Sequence, residues 1–232
     1  MVVPLFLLII FFSLTTFIAN ATQGAAWGRV EGINGHRILE LLDLREENNL
    51  ATWYSSILYF IVGIALILLG WGNSVEFQIS RLSRFLFQLA ATGAILISAD
   101  EVASIHETIG KSLARFTNQF LLTTPMIDTR FFWVIPFAPF ALLGLIMIIY
   151  QLHQLIAKMP NPNYWQRQQA YIALWAALLF LPGVFLSELM EWYLVNIKQF
   201  GTVITCFEEM FELLGMYSLF ICVMRISKPY QL

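Results

Sequence analysis

The stretch Ser98 to Gly110 reads Ser-Ala-Asp-Glu-Val-Ala-Ser-Ile-His-Glu-Thr-Ile-Gly, and it sets Asp100, Glu101, His106 and Glu107 within little more than two helical turns. Two other groups share this chemistry: Glu188 with Glu191, and Glu208, Glu209 with Glu212. These three groups hold eight of the fifteen acids, while Lys111 and Lys198 are the obvious cations near them in the sequence. So many carboxylates crowded below a membrane surface cannot all stay ionised without a cation. Either several carry protons or a metal sits among them. Carboxylate oxygens with one imidazole suit Fe, Mn or Zn, and Mg or Ca if the histidine stays outside the shell. The expected metal ligands are Asp100, Glu101, His106, Glu188, Glu191, Glu209 and Glu212, with His106 and Glu107 as candidate acid/base groups.

The elements that must carry these residues are membrane helices. Of 232 residues, 59% are hydrophobic and 12% charged, and the mean hydropathy is +0.71. A soluble domain carries about a quarter charged residues. The composition therefore predicts an all-α, polytopic membrane bundle, and no polar region is large enough for a separate soluble domain. A net charge of −2 with no basic patch argues against nucleic acid as a partner. Cys206 and Cys222 both fall in the last apolar segment, sixteen residues apart. On one helix that is roughly 24 Å, too far for a disulfide.

Six apolar stretches follow in order, or five if the first is removed. Residues 1–21 form a signal anchor or a signal peptide: Ala19-Asn20-Ala21 resembles a cleavage site, but no Lys or Arg precedes the apolar run. Residues 22–232 form a single membrane domain. Ile38, Leu41 and Leu42 repeat at helical spacing and predict an interfacial helix, beside a solvated loop histidine, His36. Trp53 to Trp71 spans, with tryptophan at both ends. Phe85 to Ile97 is about 13 residues, or roughly 20 Å of helix, against a hydrocarbon core of about 30 Å. To span, this helix must take Asp100 and Glu101 below the surface, and no Pro or Gly separates them from His106 and Glu107. Phe131 to Tyr150, Ala170 to Val195 and Cys206 to Ile226 are the remaining spans. The link Gln151 to Gln168 contains Met-Pro-Asn-Pro-Asn, a turn signal, and His153, which has no carboxylate neighbour. Pro182-Gly183 interrupts the fifth stretch and reads as a packing kink.

Alternation of direction brings the acids together. The third and fifth stretches carry acids at their C-terminal ends, the sixth at its N-terminal end, and the second begins with Glu46-Glu47-Asn48-Asn49. All four ends face one side. On a continuous helix Asp100, Ser104 and Glu107 share a stripe with Glu101 beside it, and the pairs Glu188/Glu191 and Glu209/Glu212 are each i,i+3. The bland alternatives are an acid complementing a helix N-terminus, which suits Glu208, and water-facing helix ends, which suit His106 and Glu107. Neither explains Glu212, a turn deeper.

The stretch Asn49, Leu50, Trp53 and Ser55, the Asp-Glu…His-Glu signature, and Glu-Glu-Met-Phe-Glu-Leu-Leu-Gly together resemble a family of uncharacterised bacterial multipass membrane proteins. The resemblance runs from about Glu46 onward. It implies a bacterial source and supports these sites, and it carries no reaction. Glu-x-x-His pairs of di-iron bundles, His-Glu-x-x-His, a Ser-His-Asp set and a phosphate loop are all missing.

The expectation is a metal-dependent membrane enzyme acting on a lipid or other apolar substrate, with the bilayer as its surroundings. The alternatives are a cation- or proton-coupled transporter or channel, and a structural or assembly subunit. An acidic site at one face, with no internal repeat, favours the enzyme over a transporter with a midplane site. Short links with Arg81, Arg84, Lys158 and Arg167, and a C-terminus with Arg225 and Lys228, outweigh Arg29, Arg37, Arg45, Lys111, Arg115, Arg130 and Lys198, which are spread over longer segments. They predict a cytoplasmic C-terminus in what the resemblance implies is a bacterial inner membrane. The acidic site then faces outward.

Overall fold

Backbone N–H and C=O groups find no water in hydrocarbon, so each apolar stretch must satisfy them internally, and a helix does this. The computed structural model describes residues 6–15, 50–71, 79–105, 108–109, 112, 134–159, 164–194 and 198–227. All regular structure among them is helical. The elements are α1 (Phe6–Thr15), α2 (Leu50–Trp71), α3 (Arg81–Ala103), α4 (Val134–Ala157), α5 (Tyr164–Leu194) and α6 (Lys198–Ser227). The last five are long and apolar enough to cross a membrane. The protein is an integral multipass membrane protein.

The described part of α1 is shorter than a span, yet it packs on the bundle. Ile9 and Phe12 are buried, and the Phe12 and Phe6 rings lie 5.6 Å and 5.8 Å from those of Tyr54 and Tyr217. The rest of residues 1–21, the segment around Ile38 to Leu42 and His36 lie outside the described residues.

The five spanning helices close a ring. The pairs α2/α3 and α5/α6 pack most extensively, α2 joins α6, and α4 bridges α3 and α5. Glycine sets the two main seams, as expected where close backbone approach replaces a hydrophobic driving force. A Cβ on Gly63 would sit 2.7 Å from Ile95 Cγ1 and 3.1 Å from the Ala91 carbonyl oxygen, and one on Gly70 would lie 3.3 Å from Phe87 Cβ. On the other seam, Gly215 faces Leu181 and Gly183 receives the Phe211 ring. Pro182-Gly183 is thus a packing point inside a continuous α5, as the sequence suggests. Lipid meets the outer faces, where Leu89, Leu96, Phe140, Ile146, Ile172 and Leu179 are exposed.

Three boundaries differ from the sequence reading. First, α3 does not run on to Glu107. Ser104 takes the left-handed region (φ 49, ψ 42), and its N–H donates to the Asp100 carbonyl at 2.7 Å, ending the helix at Ala103. A non-glycine residue in that conformation is uncommon, and nothing in the sequence marks it. The expected stripe of Asp100, Ser104 and Glu107 is thus interrupted at Ser104, and Glu107 lies outside the described residues. Second, α4 continues through Gln151 to Ala157, where a link was expected. Its polar residues are used by neighbours: Ser83 Oγ donates to Gln151 Oε1 at 2.7 Å, and His153 stacks near Tyr171 at 5.5 Å. Third, α6 starts at Lys198, so Glu208 and Glu209 lie well inside it instead of in its first turn. Complementing a helix N-terminus does not account for Glu208. Cys206 and Cys222 are both free thiols, as expected from their separation.

Candidate functional site: a carboxyl pair at one membrane face

On α2, Thr52, Ser55, Ser56 and Tyr59 repeat at i, i+3, i+4 and i+7, which lines one helix face with hydroxyls inside an apolar segment. Thr52, Ser55 and Tyr59 are buried in the bundle. Ser56 Oγ donates to the Ser98 carbonyl at 2.7 Å and lies 3.0 Å from Ser98 Oγ, which locks α2 to α3 one turn before Glu101. Ser98 and Glu101 share a face of α3, so this lock also aims Glu101 inward.

Glu212 is the hub. Ser55 Oγ donates to its Oε1 at 3.4 Å, near the outer limit for such a bond. The Tyr59 hydroxyl hydrogen-bonds the same carboxyl from a position only 7% exposed. Glu101 reaches it from α3. Thus α2, α3 and α6 each place a polar side chain on one point. Glu209, one turn before Glu212, and Asp100 lie close enough to act on Glu101 through their charge. Two carboxyl groups can meet in this way only if a proton or another cation lies between them. The basic side chains that are described, Arg81, Arg84, Lys158, Arg167 and Arg225, stand at the opposite ends of their helices.

The expected ligand set is brought together in part. Glu101 and Glu212 meet, and Asp100 and Glu209 are near. Among the described residues, no group of three or more His, Cys, Asp or Glu side chains is arranged to hold a metal ion. The described core is a carboxyl pair, not the larger carboxylate cluster that the sequence suggests. Glu188 and Glu191 lie on α5, and the antiparallel seam through Gly183/Phe211 and Leu181/Gly215 puts Glu188 level with the stretch Cys206 to Glu208. Their side chains lie outside the described residues, as do His106 and Glu107 altogether. His153 stands at the opposite end of the bundle, beside Tyr171.

A family model described as a domain of unknown function (DUF8692) matches residues 5–226. The chain belongs to this family. No curated protein and no solved structure matches it. Membership in DUF8692 agrees with the resemblance to an uncharacterised family and extends it towards the N-terminus, to a segment that includes α1.

The α2 hydroxyls are the part of the site that the acid pattern did not reveal. Their signal is four polar side chains at helical spacing in an otherwise apolar span, visible once the segment is scanned at a period of 3.6. Tyr59 is hidden further, because tyrosine counts as hydrophobic in any composition-based reading.

Proposed function

We propose that this DUF8692 protein is a metal-dependent membrane enzyme that acts on a lipid or another apolar substrate at the acidic face of the bundle. One observation carries the proposal: Glu101 and Glu212, from helices far apart in sequence, meet within the membrane-spanning bundle where their charges need a cation. Oxygen donors fit Fe, Mn or Zn if further ligands join the pair. Asp100 and Glu209 would contribute, and Glu188, Glu191 and His106 are the remaining candidates. Such a metal supplies Lewis-acid polarisation or an activated water or oxygen. Tyr59 and Ser55 orient Glu212, and His106 or Glu107 is the candidate acid or base. The bundle sits in a bacterial inner membrane with its acidic face outward, following the basic residues at the other face.

The direct Glu101–Glu212 hydrogen bond also favours a second reading, a proton-exchanging pair in a cation- or proton-coupled transporter. Metal analysis of detergent-purified protein, made without chelators, separates the two. Stoichiometric Fe, Mn or Zn in the wild type, lost in Glu101→Ala and Glu212→Ala, supports the enzyme. A metal-free wild type removes the metal reading and leaves proton exchange, which proton uptake by the purified protein then measures.

A further inference from the structure

At the face opposite the acids, the first turns of α5 gather positive charge. Arg167 Nη2 donates to the Met159 carbonyl at 3.3 Å, just past the end of α4 and next in sequence to the exposed Lys158. Gln166 Nε2 donates to the Arg225 carbonyl at 2.7 Å, which brings the last turn of α6 to the same spot. The backbone segments that carry Lys158 and Arg225 thus meet the start of α5, where Arg167 stands, and the first turn of α5 has no acid. No acidic side chain stands at this end of the spanning helices among the described residues.

Among the described residues, the Arg167 Nε donor is shut off from solvent with nothing to pair it. A buried donor of this kind normally has an acceptor. We propose that Arg167, with Lys158 and Arg225, holds the phosphate of an anionic phospholipid. Depth and the surface below favour a lipid over a free anion. Tyr164 and Trp165, the first two residues of α5, are exposed where amphipathic rings mark the headgroup level. Below Gln168 on the same stripe come Ile172, Trp175 and Leu179, all exposed and apolar, as acyl chains require.

The test is thermal stabilisation of the full-length, detergent-purified protein by added phosphatidylglycerol, phosphatidylcholine of the same chains, or inorganic phosphate. Phosphatidylglycerol should raise the melting temperature more than the other two. Each cation removed should weaken its apparent affinity about fivefold. The exposed Lys158→Gln is the first variant, because it leaves the packing alone. Arg167→Gln follows, with Arg167→Lys retaining most of the effect. Equal stabilisation by both lipids, or a preference unchanged in Lys158→Gln and Arg167→Gln, overturns the proposal. Inorganic phosphate matching phosphatidylglycerol overturns the lipid assignment in favour of a free anion.

Discussion

Glu212 takes hydrogen bonds from two α2 hydroxyls and meets Glu101, so its neighbours are individually testable. Tyr59→Phe keeps the ring in its packed position and removes only the hydroxyl. It should cost about 0.5–1.5 kcal/mol, read as a lower melting temperature in detergent. Glu212→Gln keeps a hydrogen-bonding amide and should melt near wild type, whereas Glu212→Leu should melt lower, because Tyr59 and Ser55 lose their acceptor. Equal melting of both variants would mean that the hub has no structural weight. At this scale the acids were legible and their environment was not. Asp100, Glu101, Glu209 and Glu212 declare themselves as charges in an apolar chain. Ser55, Ser56 and Ser98 do not, since a serine in a membrane helix commonly bonds its own backbone, as Ser187 does with the Gly183 carbonyl.

The seams between helices give predictions of opposite sign. A Cβ on Gly215 would lie 2.6 Å from Leu181 Cδ2 and 3.2 Å from the Leu181 backbone nitrogen. Because part of that obstacle is backbone, Gly215→Leu should destabilise by about 1–3 kcal/mol or prevent α5/α6 pairing. Nothing lies within 4 Å of the corresponding position on Gly93. Gly93→Ala should therefore stabilise by about 0.5–1 kcal/mol through helix propensity. Thermal unfolding of the two variants beside wild type checks both signs. Existence and order of the spans were legible from hydropathy alone, because hydrocarbon admits few alternatives. The ends were less so. Lys198 to Thr205 is polar enough to look like a turn, yet it is helical and runs ahead of the apolar part of α6. Ser104 ends α3 with a backbone conformation, which no side-chain pattern announces.

Across the molecule, the described acidic residues of the site stand at one face, and Arg81, Arg84, Lys158, Arg167 and Arg225 at the other. Single cysteines placed at Phe207 and at Lys158, in a background lacking Cys206 and Cys222, should react with an impermeant thiol reagent from opposite sides. Labelling of both from the same side of sealed vesicles would refute the alternating path. Reading directions from the order of spans was enough to foresee this convergence. Which helices touch was beyond it, because the adjacency of α2 and α6 depends on how the ring closes.

That adjacency also bears on how the protein is made. Ser55 and Glu212 are 157 residues apart, and α6 is the last of the described spanning helices. During synthesis Glu101 enters the bilayer with α3 long before Glu212 exists to meet it, and the α2 hydroxyls wait equally long. The site is therefore complete only once α6 has inserted. A ribosome stalled before α6 would leave a half-site in the bilayer, the kind of buried polar surface by which quality-control proteases could distinguish an unfinished chain from a complete one.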